Sequence, residues 1–350
     1  MKLRILVTTS SFLDTPGTHV EELEKFEFDL IKSRGPLGEN ELLNLIEREG
    51  PFDGILAGED KFTRAVLERL APHTKIISRY GVGTDTIDLE AAQVFGIKVT
   101  NTPGVNHTTV AEHLFGLLFS ILRHIPEHNA LVHAAKWKRF TGMEVAGKTL
   151  GIFGFGRVGR EVAKRAMAFG MNVVIYNTSW SAPHEEFFQQ LLSAFKHPLF
   201  CDDSINGSGP QLSRTNQCEE ALAKSDIVSL HMNLTKSNSH FLNARRIAMC
   251  KNGVVILNLS RGRLIDQQAL ANSIRSGKVA AFAADVLDPE PVDPHNPLLG
   301  MPYVHLTPHI ASRTVDSIVR QGVAAVHNLA TGLANALESE KTVTQASSER

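Results

Sequence analysis

The segment TLGIFGFGRVG, at residues 149–159, determines how the rest of the chain is interpreted. Its first five residues predict a buried strand, and Gly154, Gly156 and Gly159 follow it in the spacing G-x-G-x-x-G. An amphipathic helical pattern comes next, and residues 173–176 predict a second strand. Glycines in this spacing let the backbone approach a pyrophosphate, whose charge then faces the N-terminus of the helix. The segment therefore predicts a dinucleotide-binding β-α-β unit, with a purely structural turn as the alternative.

Three further apolar runs each lead into a side chain with useful chemistry. Arg261 comes after the first run, Glu290 after the second and His309 after the third. Because ligands of parallel sheets bind beyond the carboxyl ends of the strands, we expect these side chains at one edge of a sheet. A guanidinium binds a carboxylate through two donors, and an imidazole moves a proton near neutral pH. The three residues predict a site that binds a carboxylic acid and transfers a proton.

Each of these residues also has a structural interpretation. Arg261 is alternatively a surface arginine at the Asn258 turn, and Glu290 a solvated charge in an acidic, proline-rich loop. His309 is one of 15 histidines, most of which must be structural. Asp285 ends an otherwise apolar run, where a buried carboxylate needs hydrogen-bond partners, or it is a turn aspartate.

Additional motifs accompany these segments. RYGVGTD occupies residues 79–85, NTPGVN occupies 101–106 and VAEH occupies 110–113. With these motifs, the glycine turn and the three catalytic segments, the chain resembles the D-isomer-specific 2-hydroxyacid dehydrogenase family, and within it the D-3-phosphoglycerate-dehydrogenase-like branch. The resemblance extends over residues 3–333, and it is specific because the motifs occur together.

The resemblance implies an α/β fold of two doubly wound parallel-sheet domains with a cleft between them. One is a flavodoxin-like substrate domain, formed by residues 1–103 and 310–337, and the other is a Rossmann NAD-binding domain at residues 104–309. The polar residues 338–350 are predicted to be a disordered tail. Short apolar runs that alternate with helical patterns, with one strand predicted at residues 26–28, agree with parallel sheets.

The resemblance also implies roles for the site residues. Arg261 would bind the substrate carboxylate together with the backbone amides of Val82 and Gly83. His309 would supply the proton for reduction of a keto acid, and Glu290 would hold its second ring nitrogen. The residues implied to contact the cofactor, with Asp285 at the nicotinamide carboxamide, are Thr109, Gly154, Gly156, Arg157, Val158, Asn177, Leu259, Ser260, Asp285 and Ala311.

Asn177 bears on which dinucleotide is used. Sites specific for NAD usually place an aspartate or glutamate here, where it accepts hydrogen bonds from the adenosine ribose. Asparagine still bonds hydroxyls but does not repel a 2′-phosphate, and the next residues, Thr178 and Ser179, offer no cation. The sequence favours NAD as the cofactor and leaves NADP open.

The predicted activity is the interconversion of a D-2-hydroxy acid and its 2-keto acid by hydride transfer. 3-Phosphoglycerate is one candidate substrate, but relatives that bind it tend to carry an arginine near Ala57. This chain has Gly58-Glu59-Asp60-Lys61 there, where two acidic groups would repel a phosphate and Lys61 could compensate. The alternatives are an NADP(H)-using hydroxypyruvate- or glyoxylate-type reductase and, in a different class, an NAD(H)-sensing corepressor or scaffold protein.

Composition limits the other function classes. The chain has 350 residues, enough for two domains, and a net charge of −1, which predicts no nucleic-acid or membrane partner. Its three cysteines lack metal-ligand spacing, so no metal site is predicted, and they suit a reducing compartment. With no signal-peptide pattern at the N-terminus, we expect a cytoplasmic protein, and the family resemblance implies a homodimer.

Two segments need separate mention. The segment 178–218 is longer than the same region in members of the resembled family. It includes a patch rich in Gly, Ser, Pro and Asn at 204–209. A surface insertion is favoured over a functional lid there. The last helical pattern begins at Val315 and is predicted to end near residue 334.

Overall fold

The chain folds into two compact units. The computed structural model describes residues 2–195 and 209–348, with the side chains of the last helix described as far as residue 339. The first unit comprises Met1–Asn106 and Arg313–Arg350, and the second comprises His107–Ser312. Each junction lies three residues beyond the predicted one, at 106 against 103 and at 312 against 309. The roles predicted for the two domains stay predictions.

The secondary structure of the described residues alternates strands with helices. The strands are β1 (Arg4–Val7), β2 (Asp29–Lys32), β3 (Gly54–Ala57), β4 (Ile76–Arg79), β5 (Lys98–Thr100), β6 (Thr149–Phe153), β7 (Asn172–Tyr176), β8 (Leu212–Thr215), β9 (Ile227–Leu230), β10 (Val254–Asn258), β11 (Val279–Ala284) and β12 (Val304–Leu306). The helices are α1 (Ser10–Asp14), α2 (Thr18–Glu24), α3 (Glu39–Glu49), α4 (Arg64–Leu70), α5 (Leu89–Val94), α6 (His107–Leu122), α7 (Ile125–His133), α8 (Arg157–Ala168), α9 (Ala182–Ala194), α10 (Cys218–Lys224), α11 (Ala244–Met249), α12 (Gln267–Arg275) and α13 (Val315–Ser348).

The first unit contains a five-stranded sheet in the order β2-β1-β3-β4-β5 among the described residues. All of its pairings are parallel, and this order is the flavodoxin-like one. The central strands β3 and β4 are buried along their whole length, which explains their unbroken apolar runs. The prediction of a flavodoxin-like sheet is confirmed.

The second unit contains a seven-stranded parallel sheet, in the order β12-β11-β10-β9-β6-β7-β8 among the described residues. The chain builds outward from β6 through β7 to β8, and then returns to β9 on the other side of β6. The strand order therefore reverses between β6 and β9. In open α/β sheets a crevice forms at this position, and the glycine turn begins directly after β6.

The edge strand of the first sheet differs from the prediction. A strand was expected at residues 26–28, but β2 begins at Asp29. Glu27 has a backbone φ of 48°, and Phe26 and Glu27 close the turn after α2 by bonding back to its last carbonyls. The alternation of Phe26, Glu27 and Phe28 reflects two stacked rings, whose centroids are 5.4 Å apart, and not a pleated strand.

The last helix belongs to the first unit and is longer than predicted. Its buried residues Ala325, Val326 and Leu329 pack with the strands of that sheet, and the Ser78 hydroxyl donates to the Ala325 carbonyl at 2.8 Å. The helix continues to Ser348, so the expectation of a disordered tail from residue 338 was wrong. Residues 335–348 contain no glycine or proline, and a helix that has already started extends at little cost per residue.

The long segment after β7 contains α9 and then β8, which pairs with β7 at the sheet edge. The patch at 204–209 falls mostly outside the described residues, and so does Cys201. The other two cysteines, Cys218 and Cys250, are buried as free thiols.

Candidate active site

Two of the three glycines of the turn meet a steric requirement, and the third leaves the start of α8 open. Gly154 has a φ of +104°, and a Cβ there would lie 2.7 Å from the His231 carbonyl oxygen. At Gly159 a Cβ would lie 2.3 Å from the Gly154 carbonyl oxygen, so only glycine lets α8 pack this close to β6. Gly156 caps α8 and faces open space, with no atom within 4 Å of a Cβ position. The open N-terminus of a 12-residue helix fits the pyrophosphate of a dinucleotide.

The residues predicted to contact a cofactor all lie in the second unit. Most follow the carboxyl end of a strand, and because the strands are parallel these ends share one edge of the sheet. Gly154, Gly156, Arg157 and Val158 follow β6, Asn177 follows β7, Leu259 and Ser260 follow β10, Asp285 follows β11, Ala311 follows β12, and Thr109 is in the first turn of α6.

Asn177 is tied to the glycine turn. Its side-chain oxygen accepts a hydrogen bond from the Phe155 backbone N–H at 3.1 Å, and its side-chain nitrogen donates to the Ser179 carbonyl. The amide therefore links the end of β7 to the turn after β6. The sequence predicted the position of Asn177 but not this contact.

Asp285 organises the segment that carries His309. One carboxylate oxygen accepts from the Thr307 hydroxyl at 2.6 Å and from the Ile310 N–H at 2.9 Å, and the other accepts from the Ala311 N–H at 2.7 Å. The Asp285 carbonyl also accepts from the His309 N–H at 2.9 Å. Only 1% of Asp285 is exposed, so both of its carboxylate oxygens exchange water for these donors.

His309 and Glu290 form a pair, although they are 19 residues apart. The His309 Nδ1 lies 2.7 Å from Glu290 Oε2, and Glu290 Oε1 accepts from the Leu287 N–H at 3.0 Å. Burial raises the pKa of Glu290, but the His309 hydrogen bond and charge, the Leu287 N–H and the charge of Arg261 outweigh it. The pKa of Glu290 therefore lies below its usual value.

The backbone of His309 is in the left-handed region, with a φ of 53°. This conformation is uncommon outside glycine and costs energy that the surrounding contacts must offset. The Asp285 hydrogen bonds described above hold the segment in place.

Arg261 is held by its own turn. Its guanidinium donates to the Ser260 carbonyl at 2.7 Å, and the Asn258 side chain donates to the Arg261 carbonyl at 2.8 Å. The following residue, Gly262, passes so close to the backbone at Leu287 that a Cβ would lie 2.1 Å from the Leu287 carbonyl. The Arg261 turn and the loop that carries Glu290 are therefore packed backbone to backbone.

Two residues of this network were not predicted to be functional. His113, on α6, has its Nε2 3.1 Å from the Thr307 hydroxyl and 3.7 Å from an Asp285 carboxylate oxygen. His113 belongs to the motif VAEH, and Thr307 lies two residues before His309. Spacing along the chain gave no sign of the contact, because His113 and Thr307 are 194 residues apart.

In the first unit, Val82 and Gly83 lie on the loop after β4, with 43% of Val82 exposed. Arg79 holds this loop through two hydrogen bonds. Its Nε donates to the Gly83 carbonyl at 3.1 Å, and its Nη1 donates to the Tyr80 carbonyl. The Arg79 guanidinium is mostly buried, and its Nη2 pairs with Glu59 at 3.3 Å. The binding roles of Val82 and Gly83 stay predictions.

Asp60 is not a surface charge. It is fully buried and accepts hydrogen bonds from the Thr8 hydroxyl, from the Leu37 N–H at 2.8 Å and from the Gly58 N–H at 3.0 Å. Burial raises its pKa despite these donors. The expectation that both acidic residues after β3 would face a phosphate is therefore wrong for Asp60, whose carboxylate is enclosed by one hydroxyl donor and two backbone donors.

Comparison with known proteins identifies the family. The family model described as "D-isomer specific 2-hydroxyacid dehydrogenase, NAD binding domain" matches residues 115–197 and 188–311. The chain belongs to the D-isomer specific 2-hydroxyacid dehydrogenase family. It is an oxidoreductase with an NAD-binding domain, and the two matched stretches overlap at residues 188–197, within the long segment after β7.

Individual relatives of this dehydrogenase have different names. A glyoxylate reductase from Korarchaeum cryptofilum is 33% identical over 336 residues, which cover 94% of this chain and 92% of the relative. A D-3-phosphoglycerate dehydrogenase from Archaeoglobus fulgidus is 36% identical over 294 residues, which cover 83% of this chain but 51% of that protein. This chain thus spans about half the length of that phosphoglycerate dehydrogenase.

A solved structure gives the same fold. The TT0316 protein from Thermus thermophilus is 33% identical and superposes with a TM-score of 0.78, over 95% of this chain and 97% of that one. In the part of the dehydrogenase that the structure describes, no helix is both long and apolar enough to cross a membrane.

Proposed function

We propose that this dehydrogenase interconverts a D-2-hydroxy acid and the corresponding 2-keto acid with NAD(H). The observation that carries the proposal is the contact between His309 Nδ1 and Glu290 at 2.7 Å. It lies in the same unit as the glycine turn and at the same edge of the parallel sheet. A paired imidazole at the strand ends of a dinucleotide-binding sheet supports proton transfer coupled to cofactor chemistry.

The glycine turn after β6 would hold NAD(H), which when bound would supply or accept the hydride at the substrate carbon. In reduction, His309 donates a proton to the keto oxygen, and in oxidation it accepts the proton of the hydroxyl. Glu290 occupies Nδ1, so Nε2 is the nitrogen that exchanges the proton. The Glu290 carboxylate stabilises the protonated ring, and the Arg261 guanidinium binds the substrate carboxylate. Hydride and proton together convert the keto acid into the hydroxy acid.

The favoured substrates are small 2-keto acids without a phosphate, such as glyoxylate or hydroxypyruvate. After β3, where phosphoglycerate-binding relatives tend to have arginine, this chain has Glu59, which is 45% exposed at its side chain and paired with Arg79. A carboxylate there disfavours a phosphorylated substrate by charge repulsion.

A panel of keto acids tests the proposal. Glyoxylate, hydroxypyruvate, pyruvate and 3-phosphohydroxypyruvate are each mixed with NADH, and oxidation of NADH is followed by its absorbance. We expect turnover of the unphosphorylated acids, oxidation of D but not L hydroxy acids in reverse, and loss of turnover in His309→Asn with NADH binding retained. Absence of turnover with every acid, while NADH binds, would contradict the proposed activity. A higher kcat/KM for the phosphorylated acid would contradict the substrate preference.

We also propose that the protein is a homodimer in the cytoplasm. Helix α7 buries none of its residues, and Ile125, Val132 and Trp137, on and just after it, are 51%, 57% and 78% exposed. Large apolar side chains exposed together support an interface with another copy. Light scattering of wild type and of Trp137→Lys measures the mass directly: we expect a dimer that the variant weakens, and a monomeric wild type at all concentrations would contradict this.

A further inference from the structure

Arg160 is a cation without an acidic partner in the described part of the chain. It lies on α8, and its guanidinium carbon is 5.7 Å from the ring centre of Phe155 and 5.3 Å from that of Phe187. Its Nε is buried and has no hydrogen-bond partner among the described residues. The next residue in the chain, Glu161, forms ion pairs with Lys164 and Arg165 and not with Arg160. Arg160 is therefore fixed by two aromatic rings with its charge uncompensated.

Two other basic side chains are near Arg160. Its pKa is lowered by burial and then by the charge of Arg157. The pKa of His184, on α9, is lowered by burial and then by the charge of Arg160. The two arginine charges repel each other, which costs stability unless an anion lies near them, and the neutral His184 ring can donate a hydrogen bond to such an anion. The cluster therefore has the electrostatics of an anion site.

The His184 ring is oriented so that its Nε2–H can donate a hydrogen bond. Its Nδ1 accepts a hydrogen bond from the Ser181 N–H at 3.2 Å, which places the proton of the neutral ring on Nε2. The imidazole is held between the rings of Phe155 and Trp180, with centroids 6.2 and 6.0 Å away. An Nε2–H donor and a guanidinium fork together suit a phosphate group.

The cluster lies at the adenosine end of the dinucleotide site. Asn177, at the end of β7, accepts a hydrogen bond from the backbone of Phe155, the same residue whose ring lies next to Arg160 and His184. The residue at the end of this strand is the one that meets the adenosine ribose in dinucleotide-binding folds. Asn177 is uncharged, so it does not repel a phosphate on that ribose.

We propose that Arg160, with His184 as a second donor, binds the 2′-phosphate of NADP(H), so that this dehydrogenase accepts NADP(H) as well as NAD(H). The cation comes from α8, and the segment after β7 contributes no arginine or lysine at Thr178, Ser179 or Trp180. This phosphate site lies at the adenosine end of the cofactor, so its occupancy does not depend on which acid is reduced.

Binding of two nucleotides to the full chain tests the proposal without catalysis. Adenosine 2′,5′-bisphosphate and 5′-AMP differ only in the 2′-phosphate, and both affinities are measured by titration calorimetry. We expect wild type to bind the bisphosphate at least as tightly as 5′-AMP. Arg160→Gln should weaken the bisphosphate about 10- to 100-fold, as expected for a lost charged hydrogen bond, and leave 5′-AMP within about twofold.

Two further variants complete the test. Arg165→Gln is the matched control on the same helix, since Arg165 pairs with Glu161 and Glu112, and it should change neither affinity. Arg160→Lys keeps the charge but not the planar fork, and it should restore part of the bisphosphate affinity. Equal weakening of both nucleotides in Arg160→Gln, or wild type binding the bisphosphate more than about tenfold more weakly than 5′-AMP, would overturn the proposal. Failure of catalysis with intact, Arg160-dependent bisphosphate binding would contradict only the proposed function.

Discussion

Replacement of Asp285 by asparagine should both destabilise the second unit and slow turnover. The carboxylate is 1% exposed and accepts from Thr307, Ile310 and Ala311 at 2.6, 2.9 and 2.7 Å. Asparagine retains one acceptor oxygen, but its NH₂ group would face a donor at the other position. At least one hydrogen bond is therefore lost, and a buried donor is left without an acceptor.

The size of the effect follows from these contacts. A hydrogen bond to a charged group contributes about 1.5–3 kcal/mol, and leaving a buried donor unsatisfied costs about 1–3 kcal/mol. Because the two figures partly describe the same loss, we expect the free energy of unfolding to fall by about 2–4 kcal/mol. His309 is in the segment that Asp285 holds, and displacement of a catalytic group by about 1 Å costs on the order of 100-fold. We therefore expect kcat to fall by about 10- to 100-fold.

Three measurements separate these effects. Urea unfolding at neutral pH gives the stability, NADH titration gives cofactor affinity, and steady-state kinetics at a temperature where the variant is folded give kcat. Thr307→Val removes one of the donors to the Asp285 carboxylate, together with the contact to His113, and should lose about 1–2 kcal/mol. Wild-type stability together with wild-type kcat in Asp285→Asn would refute the reasoning. An unchanged kcat with weakened NADH binding would instead assign Asp285 to the cofactor.

Three other substitutions test separate parts of the structure. Glu290→Gln should lower kcat and shift the alkaline decline of reduction to lower pH, because a carboxylate stabilises the protonated His309 ring; an unmoved pH profile would contradict the pairing. Gly262→Ala should reduce the free energy of unfolding by about 1–3 kcal/mol, because the added Cβ would lie 2.1 Å from the Leu287 carbonyl. Gly116→Ala is the control and should not reduce it, because no atom lies within 4 Å of the added Cβ. Equal urea midpoints for the two variants would contradict this. Asp60→Asn should destabilise by about 1–3 kcal/mol through lost acceptors. Burial raises the pKa of Asp60, so the free energy of unfolding of the wild type falls as pH rises through that pKa. The difference in unfolding free energy between wild type and Asp60→Asn should therefore become smaller as pH rises. A difference that grows with pH in urea titrations would contradict this.

The sequence determined the parts of this protein that depend on local chemistry. The G-x-G-x-x-G spacing after a strand predicted the dinucleotide turn, because only glycine satisfies the positive φ at Gly154 and the close approach at Gly159. Unbroken apolar runs such as β3 predicted parallel strands, since these are buried on both faces. Residues that follow such strands must share a sheet edge, which is why Arg261 and His309 could be selected among many similar side chains.

Only the tertiary structure decided which groups those side chains meet. The donors that hold the Asp285 carboxylate come from Thr307 and Ala311, more than 20 residues along the chain, and its predicted contact with the cofactor stays a prediction. Asp60 was expected to repel a phosphate and is instead enclosed by donors from two distant loops. The position of the Arg160 guanidinium depends on contact with the ring of Phe187, which α9 contributes.

The physical reason is the range of the interactions. Strand and helix periods, glycine backbone freedom and turn chemistry act within a few residues, so they can be read along the chain. Hydrogen-bond partners and burial arise between segments that fold together from far apart, as with His113 and Thr307, which are 194 residues apart in sequence. Nothing in the local pattern of either segment encodes that contact, because it exists only once the parallel sheet has brought their ends together.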